Sequence, residues 1–403
     1  MRRVVITGLG IVSSLGTSVE EVAHSLREGK SGIVADPERM TLGFLSPLTG
    51  AIPNFSPIHS LTRKQKKTMP LFAQWAADAV FQAIAQSGLS DGQVRNEETG
   101  LIFGCDSSAL AAIEQTNLLL EHKSTTSLGS GLVFQSMTSC VTMNLNTLLG
   151  TQGACWSVSA ACASGSHAVG QAADLIALGR QKRVICGGAQ EINWQSMCSF
   201  DGLGAFSTCE NPAQASRPFD QNRDGLIPGG GAAAIILEDF EEARKRGAVI
   251  LGEIVGYGFS SDGESISVPS RTGMGRAMRM ALRNARVTPD AVSYLCAHAT
   301  STPAGDAMEA VNILDVFGPK KVPVSSTKSM TGHELWMSGA SQVVYTTIMA
   351  QEGFLAPNCN FSTPDADSAH LDIICTTRET RLKVAMCNAA GFGGTNSSLV
   401  LAF

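Results

Sequence analysis

The chain has 403 residues, with 30 Lys and Arg against 35 Asp and Glu, and its formal charge of -5 at pH 7 excludes a nucleic-acid protein driven by bulk positive charge. Only 16% of residues are charged, 44% are hydrophobic and 41 are glycine without any period, which excludes both a disordered chain and a collagen-like one and predicts a large packed core. The length allows about two to three ordinary domains, or one large duplicated unit.

Met1-Arg2-Arg3 leads straight into the strand-like Val4-Val5-Ile6-Thr7, with no leader-like apolar stretch ahead of it, so no export is expected. A helix follows over Ser18 to Gly29, then strands over Gly100 to Phe103 and Ala154 to Ser159, a helix over Cys162 to Leu178 and a strand over Arg183 to Ile185. The charged segment Asp239 to Arg246 reads as a helix, after which the scheme restarts. Val249 to Gly258 is a predicted strand, Gly273 to Ala285 a helix, Val292 to Ala297 a strand and Asp306 to Val316 a helix, while Val384 to Asn388 and Ser397 to Leu401 close as strands. Strands separated by helix-length segments predict parallel β-α-β units in two similar halves, 1–248 and 249–403.

No segment reaches the ~18 uninterrupted apolar residues of a membrane span. The nearest, Gly229 to Leu237, is half as long, so a soluble protein without a membrane span is expected. The eleven cysteines are odd in number, scattered and free of any C-x-x-C pair, a pattern that suits reduced thiols in a cytoplasm.

Two motifs carry weak signals. Gly8-Leu9-Gly10-Ile11-Val12-Ser13 follows a strand like a dinucleotide fingerprint, but Ser13 replaces the last glycine and no acid closes a second strand, so an ordinary tight strand-to-loop turn is expected. His333-Glu334-Leu335-Trp336-Met337 begins like a zinc-protease helix and then has Met337 where the second histidine is required, so no metal site is expected.

Four others carry chemistry together. Trp156 to Ala168 runs from a strand through small residues into a helix, placing Cys162 where free N–H groups and the positive end of the helix favour a thiolate by roughly 0.3–2 kcal/mol. Alone, such a cysteine is more often a buried inert thiol. Ala297-His298-Ala299-Thr300-Ser301-Thr302-Pro303 puts a histidine just after a strand on a loop stiffened by threonines and a proline. Ser326 to His333 offers a second histidine with Lys328 before it, and Asn388 to Asn396 is a glycine turn between two strands that can bring N–H groups close to a ligand.

In this order the four motifs resemble the β-ketoacyl-acyl-carrier-protein synthases, condensing enzymes of the thiolase superfamily, and most of all the synthase I branch. The likeness runs from Val5-Ile6-Thr7-Gly8-Leu9-Gly10 through Ser216-Arg217-Pro218-Phe219-Asp220 and Arg223-Asp224-Gly225 to Gly391-Phe392-Gly393-Gly394-Thr395-Asn396. It implies an α/β thiolase fold of five layers, α-β-α-β-α, in two duplicated halves. It also implies Cys162 as the acylated nucleophile, His298 and His333 as paired histidines, and Lys328 with Glu309 as a supporting charged pair. Phe392 and Cys162 would supply backbone N–H groups to an oxyanion, and Thr300, Thr302, Ala390 and Trp336 would border the substrate pocket. No cofactor is implied beyond substrates carried on the phosphopantetheine arm of acyl carrier protein. Arg63, Lys64 and Lys67, in the densest basic cluster of an acidic chain, resemble the carrier-docking segment, although such a cluster is also an ordinary solvated helix face.

Three departures stand out. Ala390 replaces a bulky Phe before Gly-Phe-Gly-Gly, Glu334-Leu335-Trp336-Met337-Ser338-Gly339 replaces a run of small residues, and Ser164-Gly165 replaces Thr-Ser. These shift the expectation from general fatty-acid elongation toward a specialised chain such as a type II polyketide or aryl-polyene product, with a homodimer or a heterodimer with a chain-length-factor-like subunit. A thiolase or a non-catalytic chain-length factor is the alternative. The second histidine, and the lack of a cysteine at the Gly391 turn, weigh against the first, and the retained Cys162 weighs against the second.

Overall fold

The computed structural model describes residues 1–52 and 54–403. In its first half, apolar runs punctuated by glycine form β1 (Val4–Val12), β2 (Thr99–Gly104), β3 (Cys155–Val158), β4 (Arg183–Gln190) and β5 (Gly231–Asp239). The second half supplies β6 (Gly252–Ser261), β7 (Tyr294–Cys296), β8 (Pro323–Ser325), a short edge strand β9 (Asp372–Ile373), β10 (Val384–Gly391) and β11 (Thr395–Ala402).

The sheet order β3-β2-β4-β5-β1 in the first half recurs as β8-β7-β10-β11-β6 in the second. The directions recur as well. In both halves the second strand runs parallel to its two neighbours, and the last two pairings are antiparallel. The expected parallel units are thus present, joined to antiparallel closing strands. Between β10 and β11 the chain reverses in a tight turn that leaves no room for a crossover helix. The halves join where β1 pairs antiparallel with β6 at Val5–Glu253 and Ile6–Gly252.

Helices complete the layers. α1 (Leu71–Ser87) covers the outer face of the first half, α2 (Ser164–Ala177) lies between the halves, α3 (Gly273–Ala285) and α4 (Pro303–Phe317) cover the outer face of the second, and α5 (Ser338–Glu352) packs on α2 in the centre. Three apolar cores alternate with the sheets. One holds Phe72, Val80, Phe103 and Ile236, the central one Val169, Ile176, Val343 and Leu399, and the third Met278, Leu295, Ile313 and Met386. The result is the five-layered α-β-α-β-α thiolase fold.

Several boundaries follow local chemistry. The first predicted helix spans Val19–Glu28, with the Ser18 side chain accepting from Glu21 N and Gly29 in the left-handed region at φ 63°. Gly8 and Gly10, expected in a turn, lie inside β1. A Cβ there would come within 2.1 Å of Ala83 O and 1.8 Å of Ala79 O, so these glycines let α1 press on the strand. Gly229 to Leu237, long enough to draw notice as an apolar run, contributes most of β5, every residue of which is buried. No helix among the described residues is long and apolar enough to cross a membrane, and no cysteine among them is paired.

Candidate active site

Cys162 sits in the short connection between β3 and α2. Ala161 before it has φ 46°, a strained conformation for a residue with a Cβ, and the local hydrogen bonds hold it there. Ser164 Oγ donates to Ala161 O at 2.6 Å and accepts from Ala160 N at 2.8 Å, while Thr395 Oγ1 donates to Ala160 O at 3.0 Å. Gly391 presses on this turn so closely that a Cβ would stand 2.6 Å from Ala160 O. Gly165, where the resemblance leads one to expect Ser, has no room for a side chain, because a Cβ would approach Ala340 N and Trp336 O to 2.9 Å. Burial pushes the Cys162 thiol up to about 12, against the opposing pull of Lys328 and its own backbone N–H. Burial thus opposes the expected tilt toward a thiolate.

His298 leaves the end of β7 on a loop pinned by two carboxylates of α4. Glu309 accepts from His298 N at 2.9 Å, from Ala299 N at 2.6 Å and from Asn388 Nδ2 at 3.1 Å. Asp306 accepts from Thr300 N at 2.9 Å, Ser301 N at 3.2 Å and Phe219 N at 2.9 Å, and Arg223 lies 3.8 Å from it. Asp306, Arg223 and Asn388 were missed as site residues from the sequence. The signal available was the i, i+3 spacing of two acids on one helix face just after the histidine loop.

His333 follows Gly332, which has φ 70°, and is fixed by its backbone N–H donating to Ile227 O at 2.6 Å and its carbonyl accepting from Gly229 N at 2.9 Å. Its Nδ1 lies 3.1 Å from Ser338 Oγ. With that hydroxyl donating, the ring proton sits on Nε2. The two imidazoles meet edge to face at 5.2 Å between centroids. Burial, with the charge of Lys328 adding to it, drives both well below the usual histidine range, so both favour the neutral form.

Lys328 and Glu309 form no direct ion pair among the described residues, where the Lys328 ammonium is buried without a hydrogen-bond partner. Each still favours the other's charge, while Glu309 accepts from the histidine loop.

Cys162, His298 and His333 line one cavity of about 430 Å³, together with Thr300, Thr302, Ala390 and Phe392. Phe200, Ile266, Val268, Met274 and Met308 make much of its apolar wall. Phe392 stacks on Phe200 at 6.1 Å. Trp336 is corrected from pocket wall to backing, since it packs beside Cys162 in a separate apolar cluster and its Nε1 donates to Ser107 Oγ at 3.3 Å. Met337 is plain core. Arg63, Lys64 and Lys67 are exposed around a short helix, Arg63–Lys66, capped by Thr62 and Gln65. They form no ion pairs among the described residues and do not line the cavity.

Residues 1–243 match the family model of the β-ketoacyl synthase N-terminal domain and residues 251–362 that of the C-terminal domain. The chain belongs to the β-ketoacyl synthase family. Among its relatives is 3-oxoacyl-[acyl-carrier-protein] synthase 1 of Haemophilus influenzae, 41% identical over 404 residues, which covers 99% of this chain and 98% of the relative. A β-ketoacyl synthase from Burkholderia phymatum superposes with a TM-score of 0.94 at 34% identity, covering 100% of this chain and 99% of that one. The ketosynthase complex AntDE:AntF, described as a type II polyketide acyl-carrier protein in complex with its ketosynthase bound to the hexaketide, gives 0.88 at 29% identity, covering 100% and 99%.

Proposed function

We propose that this β-ketoacyl synthase joins a malonyl unit to an acyl group held on Cys162, both delivered on acyl carrier protein. The observation that carries the proposal is the convergence of Cys162, His298 and His333 on one cavity. Sulfur attacks the carrier thioester, the carrier thiol leaves with the proton, and the acyl group remains on Cys162. The malonyl C–C bond then breaks, carbon dioxide departs, and its electron pair enters an enolate whose oxygen accepts from the neutral His298 and His333 rings. The enolate carbon attacks the acyl-Cys162 carbonyl, the new C–C bond forms, and the C–S bond breaks as the sulfur is reprotonated. Backbone N–H groups of Cys162 and Phe392 receive the intermediate oxyanion. Glu309 acts by positioning His298, and Lys328 by its field.

Exposed Arg63, Lys64 and Lys67 suit an acidic carrier, whose association they would accelerate. The edge strand β3, with Cys155 and Trp156 exposed, suits strand pairing with a second synthase chain or a chain-length-factor-like partner. The restart of the strand order at β6 supports a boundary between residues 248 and 249, and unpaired cysteines support a reducing cytoplasm. Beside fatty-acid elongation, Ala390 in the cavity wall supports a second reading of pathway, a specialised polyketide or polyene chain. Incubation of the protein with acyl carriers of graded length, read by product mass after malonyl carrier is added, tests both levels: no condensation rejects the activity, and equal use of ordinary saturated chains rejects the specialised role.

A further inference from the structure

One large side chain beside the nucleophile has no part in the scheme above. Trp336 is 7% exposed and shares an apolar cluster with Cys162, Met197, Phe206, Leu226 and Leu335. Its backbone is wedged in place. A Cβ on Gly165 of α2 or on Gly188 of β4 would come within 2.9 Å of Trp336 O, Leu335 has φ 43°, and Met337 N donates to Glu334 O at 3.0 Å. From that fixed point the indole reaches the loop after β2, where its Nε1 donates to Ser107 Oγ at 3.3 Å. Cys105 N donates to Val158 O at 3.1 Å, so the ends of β2 and β3 lie side by side, and the indole passes behind the Cys162 turn that joins β3 to α2. In front of that turn is the cavity of about 430 Å³, whose wall includes Cys162, Leu335, Phe200 and the small Ala390. Phe200 in turn lies 6.5 Å from the indole, the two rings tilted by 50°.

We propose that Trp336 determines which acyl groups Cys162 can carry: its indole fills the space behind the nucleophile, so the group on sulfur must lie forward, in the cavity that Ala390 widens. Close packing leaves few voids larger than a water molecule in a protein interior, and the wedged backbone prevents the indole from swinging aside. Removing the indole opens a second compartment beside the sulfur, into which a longer alkyl chain extends.

The role deepens the ketosynthase reading, yet its test needs neither carrier nor condensation. An n-alkyl methanethiosulfonate transfers its alkylthio group to a cysteine thiolate, forming an S–S bond and releasing methanesulfinate, so it reads the length of chain that fits on Cys162. The full-length protein is offered an equal mixture of the butyl and dodecyl reagents. Peptide mass spectrometry gives the ratio of the two adducts on Cys162, normalised to the exposed Cys375 in the same sample. A change in the reactivity of the thiol itself cancels in that ratio. Trp336→Ala is expected to raise the dodecyl share at least ~10-fold over wild type, and Trp336→Phe, which keeps a ring, to raise it less. An unchanged or lower ratio in folded Trp336→Ala makes the indole ordinary core packing and overturns the proposal. Should Trp336→Ala fail to fold, Trp336→Phe decides, with an unchanged ratio as the contrary result. Wild-type protein that takes no acyl group from any carrier would count against the ketosynthase reading and leave the alkyl comparison intact.

Discussion

His298 and His333 meet edge to face, their ring planes at 89° and centroids 5.2 Å apart, although each arrives on its own loop. Two neutral imidazoles so placed can aim N–H groups at one oxygen, and Cys162 borders the same cavity. That relationship divides the reaction into a sulfur part and an imidazole part, which substitutions separate.

Replacing His298 or His333 by Ala is expected to leave acyl loading on Cys162 intact while decarboxylation falls at least ~100-fold, the usual loss for one donor to a developing oxyanion. Carbon dioxide release from malonyl carrier, measured beside intact mass, checks it. A variant with normal release contradicts the paired-donor role.

Because burial and Lys328 hold both imidazoles well below their usual range, they stay neutral through mildly acid solution and become charged only at lower pH. Decarboxylation is therefore expected to be level between pH 8 and pH 6. A decline centred near 6.5 that disappears on replacing either histidine would contradict this.

Glu309 holds two backbone N–H groups and Asn388, so Glu309→Ala strands buried donors at about 1–3 kcal/mol each. Both the melting temperature and kcat are expected to fall, with KM for carrier-bound substrate little changed, since the loss is in placing His298. A variant that melts and turns over like the wild type contradicts the positioning role.

Ala390 lines the same cavity as Cys162 and His298, and Ala390→Phe fills part of it. Discrimination against bulky acyl carriers relative to short ones is expected to rise at least ~10-fold in a competition assay. An unchanged preference means that the space is not used by substrate.

Much of this was legible in the sequence, but unevenly. Strands such as β2 and β10 showed as β-branched or apolar runs, and the four loop motifs pointed to Cys162, His298 and His333, which the fold places around one cavity. α5 was missed because its residues from Ser338 to Met349 are all buried, so it has no polar face and no amphipathic period. α1 was missed for a related reason, being rich in Ala with no charged last turn to mark its end. The backbone donors of Glu309 were not visible in the sequence, because a pairing implied by resemblance does not say which N–H groups a carboxylate will meet. Trp336 was placed in the pocket by adjacency to His333, whereas the intervening turn directs it behind Cys162.

The central claim is that one sulfur carries the growing chain, and intact mass after incubation with acyl carrier tests it most directly. Wild-type protein is expected to gain the mass of one acyl group and Cys162→Ala none, despite ten other cysteines. Equal acylation of the two proteins would contradict the account.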